Sequence, residues 1–77
     1  MNEDQIRAFL AVLEWGSFSA ASQHLNLSQP AVSQRIKSLE SELNTTLFER
    51  APGRSAPLVT ESGQLLEAEA RATLARW

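Results

Sequence analysis

Hydrophobic residues near the start of the chain recur with the spacing of an amphipathic helix. The residues at positions i, i+3, i+4 and i+7 of this pattern are Ile6, Phe9, Leu10 and Leu13. Asn2 and the acids that follow it are typical of a helix start, so we predict a first helix that ends near Trp15 and Gly16. A second, shorter helix is predicted between Ser17, which can cap it, and Asn26, which tolerates the left-handed conformation that ends many helices.

A third helix is predicted over residues 29–43. Ser28 can cap it, and Pro30 fits its first turn because no helical N–H bond is required there. Its predicted buried side consists of Val32, Ile36, Leu39 and Leu43. The opposite side is polar and carries no acid up to Lys37. Two helices joined by about three residues, the second with a Ser cap and a polar face, form the helix-turn-helix pattern.

The segment that follows the third helix predicts a short β-hairpin. Apolar residues at 47–48 and 57–59 flank a turn, in which Pro52 and Gly53 suit the two central positions of type II geometry. Proline fixes the first dihedral angle of such a turn and glycine supplies the positive φ of the second. The tip of this hairpin is expected near residues 50–57.

A last helix is predicted to start after Thr60 and to reach Trp77. One of its apolar stripes consists of Leu65, Ala68, Ala72 and Ala75. A second stripe consists of Leu66, Ala70, Thr73 and Trp77. Together they form an apolar band wider than one small core needs, so we expect part of it to face another chain. A single wide core is the alternative interpretation.

The composition excludes several classes of function. A chain of 77 residues suits one core, and it contains no cysteine and one histidine. These counts exclude disulfides, thiolate metal sites and multi-histidine sites, and we expect no cofactor. No nucleophile–base pair or carboxylate pair is indicated, so we do not expect an enzyme. No apolar run has the length of a signal sequence or a membrane span, and we expect a cytoplasmic protein without a membrane partner.

Charge is distributed unevenly along the chain. The net charge is −2, which by itself does not favour a nucleic-acid partner. However, the windows 15–39 and 50–60 contain four of the seven basic residues and none of the nine acids. The polar face of the third helix and the hairpin are therefore locally positive, as a DNA-binding surface requires.

The third helix carries residue types suited to reading DNA. A helix fits the major groove, where Gln29 can pair with an adenine edge and Ser33 with several bases. Arg35 and Lys37 would neutralise phosphates, and Arg54 would follow the DNA backbone or enter the minor groove. Two alternatives remain open at this point: an ordinary solvated helix face, or a helix-turn-helix that serves only protein interaction. The absence of acids favours DNA, because protein interaction alone does not require it.

Three sequence runs together resemble a known family. They are SQPAVSQRIKSLESEL at 28–43, LFER at 47–50 and VTESG at 59–63. As a set they are similar to the N-terminal domain of LysR-type transcriptional regulators, and the resemblance covers essentially the whole chain. It implies a mainly α fold, a winged helix-turn-helix with a three-helix core and a β-hairpin wing over 1–59, followed by a long linker helix over 60–77. It also implies a bacterial regulator that dimerises through this helix and whose small-molecule effector acts through a C-terminal domain absent here.

The resemblance and the residues together define the expected sites. In the family, residues matching Gln29, Pro30 and Ser33 commonly contact bases, and the arginine matching Arg54 commonly enters the minor groove. The expected DNA-binding residues are Ser28, Gln29, Pro30, Ser33, Gln34, Arg35, Lys37, Arg50 and Arg54. The expected dimerisation residues are Leu65, Leu66, Ala68, Ala72 and Ala75. Arg50 would contact a phosphate or else pair within the protein. A dimer would bind double-stranded DNA with inverted-repeat half-sites.

Overall fold

Four helices and one hairpin make up the structure, a computed structural model that describes residues 1–50, 52–53 and 56–77. In chain order the elements are α1 (Glu3–Trp15), α2 (Phe18–Leu25), α3 (Gln29–Leu43), β1 (Phe48–Glu49), β2 (Leu58–Val59) and α4 (Glu61–Ala75). The order predicted from the sequence is confirmed. The last helix ends at Ala75 and not at Trp77, because the final N–H groups bond three residues back in a tightened last turn.

The predicted capping residues begin all four helices. In each case the side-chain oxygen of the cap accepts a hydrogen bond from the backbone N–H three residues later, at 2.8 to 3.2 Å. The caps are Asn2, Ser17, Ser28 and Thr60. The first three helices end at residues in the left-handed conformation, which are Gly16, Asn26 and Asn44. Local sequence chemistry therefore defines where these helices begin and where the first three end.

The core lies where the first three helices meet the base of the hairpin. Its largest fully buried side chains are Phe9, Ile6, Leu39, Leu47, Val12 and Val32. The ring of Phe48 contacts those of Phe9 and Phe18, with centroid distances of 5.5 and 5.9 Å. Leu43 was predicted to be buried, which is wrong: its side chain is 39% exposed. It lies in the last turn of α3, on an open groove between α3 and α4.

The hairpin is short and antiparallel, with Phe48 paired to Val59 and Glu49 paired to Leu58. Gly53 has a φ of 78°, the positive value predicted for the second central residue of the turn. Arg54 lies outside the described residues. In the part of the chain that the structure describes, no helix has the length and hydropathy of a membrane span.

The start of α4 is fixed against the hairpin. The Thr60 hydroxyl donates to the carbonyl of Thr46 at 2.6 Å, and the Thr60 N–H donates to the carbonyl of Leu47 at 2.9 Å. Gly63 follows in the first turn, where an added Cβ would lie 2.7 Å from the Leu47 carbonyl oxygen and 2.6 Å from Cγ2 of Val59. Glycine is therefore required here for close approach of the helix to β1 and β2.

Candidate nucleic-acid interface

The first half of α3 presents polar side chains to solvent. Gln29, Pro30, Gln34 and Lys37 are exposed, and Ser33 is half-buried. Gln29, Pro30 and Ser33 line one open hollow on this surface. The surface exists because Ser28 begins the helix, while Val32 and Ile36 on the other side are buried in the core. The residues expected to meet base edges thus lie together on one accessible face.

Polar side chains on this face make few contacts with the rest of the protein. Among the hydrogen bonds and ion pairs between described residues, none involves the side chains of Gln29, Ser33, Gln34 or Lys37. Arg35 differs, since its Nη1 lies 3.8 Å from Oδ1 of Asp4 at the start of α1. The sequence reasoning missed Asp4, because it considered only the acids close to α3 along the chain.

The base of the wing joins α3 at a small positively charged cavity of about 120 Å³. The residues that line it are Phe18, Ser33, Ile36, Lys37, Glu40, Phe48 and Arg50. The guanidinium carbon of Arg50 lies 5.0 Å from the centre of the Phe18 ring, a cation–π geometry. Arg50 is thereby placed beside Lys37 and Ser33, which lie on α3. The sequence pattern did not predict this contact between Phe18 and Arg50.

The acids in the second half of α3 are engaged by the fold. Oε2 of Glu40 accepts hydrogen bonds from the backbone N–H groups of Leu47 and Phe48, at 2.7 and 3.3 Å. Glu42 accepts from the side-chain amide of Gln5 at 2.7 Å and from the N-terminal ammonium group at 2.8 Å. The Gln5 hydrogen bond, and then the ammonium group, lower the pKa of the Glu42 carboxyl.

The residues expected at a dimer interface divide between two sides of α4. Leu65 is 73% exposed, and Ala68, Ala72 and Ala75 are exposed on the same face. Leu66 is only 8% exposed and packs in the core together with Ala70. The assignment of Leu66 to the dimer surface is therefore corrected: it belongs to the stripe that attaches α4 to its own core.

The single histidine, His24, stacks on a tryptophan ring. The rings of His24 and Trp15 are stacked, with centroids 3.6 Å apart and planes at 8°. Both residues are exposed, near the ends of α2 and α1. Within the described residues, no group of three or more His, Cys, Asp or Glu side chains could hold a metal ion.

Comparison with known proteins identifies the family of this fold. Residues 4–64 match the model of bacterial regulatory helix-turn-helix proteins of the lysR family. The chain belongs to the LysR family. One relative, an uncharacterized HTH-type transcriptional regulator in the ibpB-leuC intergenic region of Azotobacter vinelandii, is 50% identical over 66 residues. The match covers 86% of this chain and 44% of that relative, so the chain spans less than half the length of the curated relatives it matches.

Solved LysR-type structures share the winged helix-turn-helix fold. The DNA-binding domain of CbnR in complex with DNA superposes with a TM-score of 0.90 at 32% identity, covering 97% of this chain and 84% of that chain. The DNA-binding domain of BenM in complex with catB site 1 DNA gives 0.89 at 34% identity, covering 99% and 80%. The predicted fold class and family are thus confirmed, and the named relatives are transcriptional regulators.

Proposed function

We propose that this chain is the DNA-binding domain of a LysR-type transcriptional regulator that inserts α3 into the major groove of double-stranded DNA. The observation that carries the proposal is the exposed first half of α3, where Gln29, Ser33, Gln34 and Lys37 have no partner among the described residues. Polar side chains that the protein leaves unengaged are available to base edges and phosphates. The DNA-bound states of the CbnR and BenM domains support this interpretation.

Each side chain on α3 has a separate role in this proposal. Gln29 and Ser33 would contact base edges, with Pro30 beside them, and Lys37 would contact a phosphate. The N-terminus of α3 at Ser28 favours a phosphate through its N–H groups. Arg35 would exchange its distant Asp4 partner for a phosphate, because a 3.8 Å ion pair between partly exposed groups is weak.

The wing and α4 extend the proposed complex. The hairpin segment, whose sequence includes Arg54, would contact the DNA backbone or the minor groove beside α3. The exposed face of α4 at Leu65, Ala68 and Ala72 would pair with a second copy. A two-fold dimer requires inverted-repeat half-sites about one helical turn, or a multiple of it, apart. Residues 1–59 would then bind DNA and residues 60–77 would link two copies, while an effector would act through a further domain of a longer chain.

Selection of duplexes from a random pool at two salt concentrations tests the proposed function. We expect enrichment of inverted-repeat sequences, and binding that weakens steeply as the salt concentration rises, because phosphate contacts release counterions. A pool that shows no enriched sequence at either concentration would contradict sequence-specific DNA binding and favour a helix-turn-helix used for protein interaction.

The proposed dimer is tested by charge on the exposed face of α4. Leu65→Glu combined with Ala72→Glu should produce monomers that bind half-sites poorly, since two buried carboxylates would face their copies across the two-fold axis. Sedimentation measures the assembly state. Ser41→Glu adds a carboxylate on exposed α3 and serves as the control. A double variant that still sediments as the same dimer would refute the α4 interface.

A further inference from the structure

The cavity between α3 and the wing has the composition of an anion site. Ser33 and Lys37 line it from α3, and Arg50, the residue that follows β1, lines it from the wing. Together they supply a hydroxyl group, an ammonium group and a guanidinium group to one volume of about 120 Å³. An oxyanion with several acceptor oxygens matches these donors.

The acid on the cavity wall does not form an ion pair with these cations. Glu40 lines the cavity, but its Oε2 accepts the backbone N–H groups of Leu47 and Phe48. Among the ion pairs of the described residues, none involves Lys37 or Arg50. Both cations therefore face the cavity while the neighbouring carboxylate holds the hairpin in place.

Phe18 restricts the position of the Arg50 side chain. Its ring lies under the guanidinium group at 5.0 Å and is itself held edge-on by Phe48. Phe18 is only 9% exposed, so the ring is a fixed surface on which Arg50 rests. An arginine ordered before binding loses less conformational entropy when it meets its ligand.

We propose that this cavity binds one phosphate of the DNA backbone through Ser33, Lys37 and Arg50, and that Phe18 is the positioning residue that holds Arg50 for this contact. The inference rests on the proposed DNA-binding function. It adds that α3 and the wing share a single phosphate, which fixes the wing relative to the groove that α3 occupies. The same stacking makes an aromatic core residue a determinant of affinity.

A double-mutant cycle on DNA binding tests the proposal. The affinities of the full chain, Arg50→Ala, Phe18→Leu and the double variant are measured on a duplex from the selected pool, between about 50 and 200 mM salt. Arg50→Ala should lower the salt slope by about one unit, so that its affinity deficit relative to the unaltered chain narrows about four-fold over this range. Phe18→Leu should weaken binding about two- to five-fold, the effect of one cation–π contact. In the Arg50→Ala background, Phe18→Leu should have no further effect.

Controls separate the positioning role from general loss of stability. Ile6→Val truncates a fully buried side chain that does not line the cavity, and it should leave the affinity and the salt slope of the folded protein unchanged. Circular dichroism ensures that every variant is compared at a temperature where it is folded. If Phe18→Leu weakens binding equally with and without Arg50, its positioning role is wrong.

The same measurements distinguish an error in the phosphate site from an error in the proposed DNA-binding function. If the unaltered chain binds no duplex, the proposed function itself fails. If it binds DNA and Arg50→Ala retains both its affinity and its salt slope, DNA binding stands and the phosphate site at the wing is refuted. An equal slope change for Lys37→Ala would support the shared site, and an unchanged slope for that variant would remove Lys37 from it.

Discussion

The two halves of α3 use similar polar residues in different ways. In the first half, residues 29–37, the glutamine, serine and lysine side chains have no partner among the described residues. In the second half, residues 38–43, the Ser38 hydroxyl accepts from Gln5, and Glu40 and Glu42 accept from the hairpin and from α1. The comparison shows that hydrogen bonding within the fold separates polar groups that build the protein from those available to a ligand.

The second half of α3, whose polar groups are hydrogen-bonded within the fold, positions the first half. Glu40 ties α3 to the start of β1, and the contacts of Ser38 and Glu42 with Gln5 tie α3 to the first turn of α1. Gln5 is only 4% exposed, and its amide also accepts the Asn2 N–H at 2.8 Å. A buried polar network that is fully satisfied specifies one arrangement of the elements it joins. The second half of α3 thus holds the first half in a fixed orientation.

The largest effect is expected for Glu40→Ala, which should lower the free energy of unfolding by about 2 to 3 kcal/mol. The change removes two hydrogen bonds to a charged group and leaves the N–H groups of Leu47 and Phe48 without their acceptor. Urea unfolding measures the difference. Glu40→Gln keeps an acceptor oxygen and should lose less. Equal stability of Glu40→Ala and the unaltered chain would contradict the structural role of the second half.

In contrast to Glu40→Ala, Gln29→Ala should weaken DNA binding and leave the free energy of unfolding nearly unchanged. We expect a loss of about 1 to 3 kcal/mol in binding to the best selected site, with weaker base preference at one position, because a bidentate base contact is removed. The free energy of unfolding should change by less than about 0.5 kcal/mol, as for exposed side chains generally. Competition binding on site variants measures the first quantity. Ser41→Ala, exposed in the second half, should leave binding unchanged, and equal loss on every sequence would exclude base reading by Gln29.

The smallest effect concerns Glu42, and it should depend on pH. The pKa of this carboxyl is lowered in the fold from its ordinary value of 4.5 by the Gln5 hydrogen bond and the N-terminal ammonium group. The stabilisation is therefore present above that ordinary value and is lost as the pH falls through the lowered pKa. Urea unfolding of the unaltered chain and Glu42→Gln at several pH values checks this. The stability difference should shrink in acid, and a difference that is constant with pH would contradict it.

Local features were predictable from the sequence because their causes lie within a few residues. The caps at Asn2, Ser17, Ser28 and Thr60, the left-handed Asn26 and the positive φ of Gly53 follow from short-range chemistry. The accessible polar face of α3 followed from helical periodicity and the absence of acids. These features determine the family resemblance as well, and the family model confirms it.

Contacts between distant segments were not predictable in the same way. Asp4 contacts Arg35, and Phe18 contacts Arg50. The partners are 31 and 32 positions apart in the sequence, so only the tertiary fold brings them together. On α4, periodicity separates two apolar stripes but does not say which one faces the core, so Leu66 was assigned to the wrong side. Leu43 continues the apolar stripe of α3 but lies beyond the elements that cover it.

Gly63 gives the junction of α4 and the hairpin a mechanical consequence. Because an added Cβ at residue 63 would lie within 2.7 Å of a backbone oxygen and a valine methyl group, the first turn of α4 packs on the hairpin with no space for a side chain between them. If the far end of α4 is tilted, for instance by contact with another copy, the hairpin would therefore rotate together with the helix. In the proposed dimer, the spacing between the two copies and the angle at which each wing meets DNA would therefore change together.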